Sequence, residues 1–154
     1  MLSVDPTIAP LLAQTALRVD PRAFTIASVP PAYEPSVRLT LADVHAPFFV
    51  QVMAKEVSLI LADDEWARVR PRFKGAREEP GYRLVTLEVK LDWDVTGYLA
   101  AVTKALADEH VPVGVLSSFH HDHLLVRTAL LERALAALQR LIAAARAATD
   151  PASS

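Results

Sequence analysis

The stretch DVTGYLAAVTKALADEHVPVGVLSSFHHDHLLV, residues 94–126, decides the fold. Val95, Leu99, Val102 and Leu106 recur in it at helical spacing and draw one apolar stripe. Asp94 stands just ahead of that stripe, where its carboxylate can accept from first-turn amides, so a helix is expected to start there. VPVGVLSSF is short and β-branched and reads as a strand. HLLVR reads as a second strand, with HHD as a tight connection between the two. Upstream, YRLVTLEVKL (residues 82–91) alternates. Val85, Leu87, Val89 and Leu91 share one face, and Thr86, Glu88 and Lys90 share the other. Downstream, TALLERALAALQRLIAAARA sets Leu131, Leu135, Leu138 and Ile142 on one helical face, with Thr128 as the expected cap. The order from Tyr82 is strand, helix, strand, strand, helix.

One strand separates this order from a βαββαβ, ferredoxin-like antiparallel sheet with helices on one face. The tail TDPASS cannot supply that strand, which must come from elsewhere in the chain or from a neighbour. The first half repeats the pattern weakly. When APFFVQVMAKEVSLILADDEWARV is laid on VPVGVLSSFHHDHLLVRTALLERA without gaps, Pro47 falls on Pro112, Val50 on Val115, Leu59 on Leu124 and Arg68 on Arg133. AFTIASV would be the opening strand of this first copy. Pro30, Pro31 and Pro35 leave little room for its first helix, so the copy is expected to be truncated. The expected organisation is an N-terminal extension (1–19), a degenerate module (20–73), the polar linker KGAREEPG (74–81), a full module (82–148) and a disordered tail (149–154).

Composition narrows the function classes. Hydrophobic residues make up 52% of the chain, enough for a core. A net charge of −2 offers no electrostatic footprint for nucleic acid or a membrane surface. Without cysteine there is no disulfide framework, thiolate zinc site or cysteine nucleophile. The start, MLSVDPTIAPLLAQ, lacks a basic leader, and the long C-terminal helix carries Arg133, Gln139, Arg140 and Arg146. A soluble cytoplasmic protein is therefore expected.

WDVTGYLA, the strand ending in SSF, and HDHLLV before the last helix together resemble the ACT domain, a small ferredoxin-like module that binds amino acids and regulates metabolic enzymes. The likeness is closest to stand-alone tandem ACT proteins, a group that includes arginine sensors and whose first half ends in a stretch like EVSLIL. It extends over roughly residues 20–145. Many ACT loops carry proline just before the glycine, and here Thr96 takes that place. The resemblance implies two tandem modules, the first truncated, and a homodimer or higher homo-oligomer. It also implies an amino-acid ligand at a seam between modules, a separate regulated enzyme as partner, and no cofactor.

It further assigns roles in the hairpin: Phe119 would cover an aliphatic stem or stack on a cation, and Asp122 would pair with an ammonium or guanidinium. The amides of Val95, Thr96 and Gly97, beside Asp94 at a helix start, suit an α-carboxylate. Ser118 and His121 complete the expected ligand set. Two bland readings stand beside these roles: Phe119 as core packing and Gly97 as helix–sheet packing. The hairpin allows another chemistry, because residues two apart share a strand face. His121 and His123 therefore point together, away from His120 and Asp122, and could begin a metal site if a third ligand joined them. A structural dimerisation module without ligand is the other alternative. Catalysis is not expected, since no nucleophile-elbow glycines surround Ser117 or Ser118, and capping accounts for Asp63 and Asp64.

Overall fold

A computed structural model describes residues 4–150. Six strands form one antiparallel sheet in the hydrogen-bonded order β2-β3-β1-β4-β6-β5. The strands are β1 (Ala16–Val29), β2 (Phe49–Val52), β3 (Val57–Ala62), β4 (Arg77–Glu88), β5 (Val113–Ser117) and β6 (Asp122–Arg127). The α-helices are α1 (Ala9–Gln14), α2 (Glu34–Thr40), α3 (Asp63–Val69), α4 (Tyr98–Asp108) and α5 (Leu131–Thr149). The described residues divide into two compact units, 4–20 with 83–150 and 21–82.

In the first unit the alternation seen in sequence becomes burial. Val85 and Leu87 of β4, with Val89 just past its end, meet Val102 and Leu106 of α4, Leu124 and Val126 of β6, and Leu138 and Leu141 of α5. Each such aliphatic side chain withdrawn from water contributes about 1.5–3 kcal/mol. Residues 4–20, expected as an extension, take part in this core: Ile8 and Leu12 are buried in it. Thr15, just past α1, bonds the Tyr98 hydroxyl at 2.8 Å, and Arg146 of α5 donates to the Ala13 carbonyl.

The missing fourth strand is the opening of β1. Arg83 donates to the Asp20 carbonyl at 2.8 Å, and Arg18 pairs with Glu88, so residues 16–20 lie along the second half of β4. The unit's order is then β1-β4-β6-β5, that is, fourth, first, third and second strand of a ferredoxin-like module. The opening strand expected over residues 23–29 thus starts earlier, at Ala16, because its first residues serve this second purpose.

In the second unit β3 lies between β1 and β2, with Phe24 opposite Ala62 and Val29 opposite Val57. Ala27, Val29, Leu59, Leu61, Val37, Leu41, Trp66 and Phe73 make its core. Two expectations are corrected here. A helix does form over Glu34–Thr40, after a 3₁₀ turn at Pro31–Tyr33. The prolines fall in the first positions of these turns, where no amide is needed, so they start the helix instead of forbidding it. The linker expected over 74–81 is strand from Arg77 onward, and Gly81 within it adopts φ +86°. A buried carboxylate also holds this unit together. Glu65 accepts from the His45 amide and lies within hydrogen-bond distance of its ring Nδ1, both at 2.8 Å, and so pins the loop ahead of β2 to α3.

If the N-terminal segment is core, Leu12→Ala should lower unfolding free energy by about 2–5 kcal/mol. Urea denaturation followed by far-UV dichroism checks this; an extension lying outside the fold would leave the midpoint unmoved.

Candidate functional site

A cavity of the first unit, about 180 Å³, opens between the loop leading into α4 and the β5–β6 hairpin. On the loop side its wall includes Trp93, Val95 and Tyr98. On the hairpin side it includes Ser118, Phe119, His121 and Asp122. Two backbone bonds hold these sides. Leu91 N–H donates to the His120 carbonyl, and Ser118 N–H donates to the His121 carbonyl, both at 2.9 Å. Five of the eight sequence-derived ligand residues thus share one cavity: Val95, Ser118, Phe119, His121 and Asp122. Asp94, Thr96 and Gly97 are exposed and lie outside its wall.

Gly97, not Asp94, precedes the helix. Its φ of +92° cannot continue a right-handed helix, so α4 begins at Tyr98. The expected amide donors change accordingly. Val95 N–H donates to the Asp92 carbonyl at 3.1 Å and is taken. The first-turn groups without intrahelical partners are the amides of Tyr98, Leu99 and Ala100. An added Cβ at Gly97 would come no nearer than 4.0 Å to the Ile8 side chain, so backbone conformation and not crowding explains this glycine.

The hairpin separates its side chains by parity. Ser117 opposite Asp122 and Val115 opposite Leu124 share the helix-facing side, whereas Leu116 opposite His123 faces the other way. On the helix side the Ser117 hydroxyl donates to Asp122 Oδ1 at 2.6 Å. On the other, His123 lies 2.9 Å from both the Thr86 hydroxyl, at Nδ1, and the Ser118 hydroxyl, at Nε2. His121 stands 3.9 Å from Glu88. Phe119 is 72% exposed, so it is not core packing, and it meets His120 edge-on at 4.7 Å. Among the described residues, no three His, Cys, Asp or Glu side chains converge as a metal ion would need.

Sequence reading missed Tyr98, Trp93 and the bridging hydroxyl of Thr86. Burial pushes the Tyr98 phenol up to about 12, with the Asp122 carboxylate adding to the shift and the Thr15 hydrogen bond opposing it. An aromatic residue with a polar tip directly after Gly97 was the signal available for it. Trp93 is 75% exposed at the rim.

The family model for the ACT domain matches residues 77–140. No curated protein matches the chain. Three solved structures share the fold over most of its length. A protein from Agrobacterium tumefaciens is 22% identical, covering 83% of this chain and 89% of that one, with a TM-score of 0.68. A Vibrio cholerae protein of unknown function, described as a possible transport protein, is 21% identical over 88% and 96%, with a TM-score of 0.68. The regulatory subunit of aspartate kinase from Thermus thermophilus, in ligand-free form, is 15% identical over 84% and 98%, with a TM-score of 0.65. Among the described residues, no helix is long and apolar enough to cross a membrane.

Burial, His121 and Arg18 lower the pKa of His123. The unfolded chain therefore takes up this proton first as pH falls below the ordinary histidine value of about 6.5. Stability should decline from there until the folded pKa is passed. Urea midpoints at successive pH values check this, and His123→Gln should remove part of the decline.

Proposed function

We propose that this chain is a non-catalytic regulatory module that binds a free amino acid in the cavity between the α4 loop and the β5–β6 hairpin. The observation that carries the reading is the placement of opposite charge preferences on the two sides of one small cavity. Asp122, half-buried on the hairpin, suits an ammonium or guanidinium through a charge-assisted bond. The first-turn amides of α4, at the positive end of the helix dipole, suit a carboxylate. Phe119 and Trp93, exposed at the rim, suit the aliphatic or planar part of a side chain. A volume of about 180 Å³ lies below the roughly 300–1,000 Å³ of drug-sized pockets and favours a compact ligand. The ACT-domain match and the aspartate kinase regulatory subunit among the structural neighbours support a regulatory role.

The arrangement around Ser118 supports the non-catalytic half of the reading. His123 lies beside the Ser118 hydroxyl, but its other ring nitrogen meets the Thr86 hydroxyl where a Ser-His-acid triad places a carboxylate. As a regulator, the chain would act on a partner enzyme. Ligand would favour one arrangement of the assembly by its difference in affinity for the alternatives.

A thermal-shift panel of the twenty amino acids checks the proposal. Ligand at about 100 times its dissociation constant should stabilise the chain by about 2.7 kcal/mol. One or two amino acids should raise the melting temperature, and Asp122→Asn should abolish that rise while leaving the ligand-free melting temperature within a few degrees. A flat panel, or a response that survives Asp122→Asn, would remove the basis for this site.

A further inference from the structure

We propose that the second unit carries a polyphosphate-binding site in the depression at the turn between α3 and β4, with Arg70 and Lys74 as its cationic walls. The chain's net charge of −2 conceals one basic concentration. Arg68, Arg70, Arg72, Lys74 and Arg77 place five of the 16 lysines and arginines within ten residues, and no acid interrupts them. The helix end accounts for only part of this run. Cations stabilise a helix C-terminus within its last turn, which explains Arg68 and, at the C-cap of α3, Arg70. Arg72, Lys74 and Arg77 lie beyond it, and all three are exposed. Arg68 is occupied by Asp43 at 3.1 Å. Among the described residues, no carboxylate stands within ion-pair distance of Arg72, Lys74 or Arg77.

The turn is held in one shape. Its 3₁₀ helix, Arg70–Arg72, leads to Phe73, which is buried against Trp66 and Tyr33 with ring centroids 6.4 and 5.6 Å away. Phe73 N–H donates to the Arg70 carbonyl at 3.0 Å, Lys74 N–H to the Tyr33 hydroxyl at 3.1 Å, and Ala76 N–H to the Phe73 carbonyl at 3.2 Å. Arg70 is oriented as well. Trp66 Nε1 donates to one oxygen of Glu78 at 2.6 Å, and the other oxygen approaches the Arg70 guanidinium at 3.4 Å. That contact engages one nitrogen of a planar fork with five N–H donors, so donors remain for an oxyanion.

The depression measures about 480 Å³, and Ala67, Pro71 and Gly75 line it together with the two cations. Its size lies within the roughly 300–1,000 Å³ of small-molecule sites. The two cations select the ligand class. A guanidinium pairs with two oxygens of one phosphate, and an ammonium is a point charge suited to the next. A single carboxylate uses one of these groups, whereas linked phosphates use both. The shared chemistry is therefore a chain of two or more phosphates, inorganic or carried on a nucleoside.

Titration calorimetry of the full chain, at low ionic strength and without divalent cations, tests the proposal. Sodium tripolyphosphate should bind about tenfold more tightly than inorganic phosphate. Arg70→Gln combined with Lys74→Gln should weaken tripolyphosphate about tenfold or more, as loss of charge-assisted bonds requires. Lys104→Gln on α4 should leave binding unchanged. ATP and AMP separate the two sources: ATP binding more tightly than tripolyphosphate, with AMP weak, identifies a nucleoside polyphosphate, and tripolyphosphate binding more tightly than ATP identifies an inorganic one. No heat with either triphosphate overturns the proposal, as does binding that the double substitution leaves unchanged or that Lys104→Gln weakens equally. Should the double variant fail to fold, Lys74→Gln alone decides, because that exposed side chain has no acid partner to lose among the described residues.

Discussion

A ferredoxin-like unit depends on its first strand having a neighbour on both sides. Here β4 is that strand in the first unit, and β6 covers only one of its edges. The segment 16–20 covers the other, held by Arg83 on the Asp20 carbonyl and by Arg18 on Glu88. Without it, the outward backbone groups of β4 would sit beside a core of Val85, Leu87 and Val89 with nothing to accept them but water. The N-terminal residues are therefore committed before the site can form. Tyr98 shows the link directly: the side chain that opens α4 and lines the cavity is anchored by Thr15, the residue immediately before β1.

Anchoring of this kind is what allows an exposed cavity to keep its shape. The α4 loop is fixed by Gly97 at one end and by Leu91 bonding to the His120 carbonyl at the other. The hairpin is fixed from behind by His123, which ties Thr86 on β4 to Ser118 at the cavity wall. Asp122 is held by Ser117 across the ladder. The groups that would meet a ligand are thus oriented by existing hydrogen bonds, the condition under which binding loses least to reordering.

Much of this was legible in sequence where a periodicity carried it. The period of two along YRLVTLEVKL and across the hairpin placed Val85 and Leu87 in the core and separated Asp122 from His123. The period of 3.6 found the helix faces of α4 and α5. Signals without a period were read less well. Asp94 is a good capping residue, but a positive φ at Gly97 outranks a cap, and sequence states no dihedral angle. The prolines at 30, 31 and 35 were read by their cost inside a helix, not by their fitness for its first turn. The fourth strand was invisible for another reason. Pairing between residues 16–20 and 83–88 is a long-range choice, and nothing local to either segment announces it.

The same distinction between local and long-range signals explains the bond between Glu65 and His45. A carboxylate in the first turn of α3 is accounted for by the helix dipole, and His45 in a proline-flanked loop reads as solvent-exposed. Only the fold brings them to 2.8 Å and buries Glu65. Burial of a charge costs several kcal/mol unless polar partners replace water. Glu65 meets that cost at one oxygen with the His45 amide and ring, while Arg22 approaches the other at 3.9 Å. What the arrangement secures is the loop that delivers the chain into β2, so the position of the sheet's outer edge depends on a charge that the amino-acid pattern alone would assign to the surface.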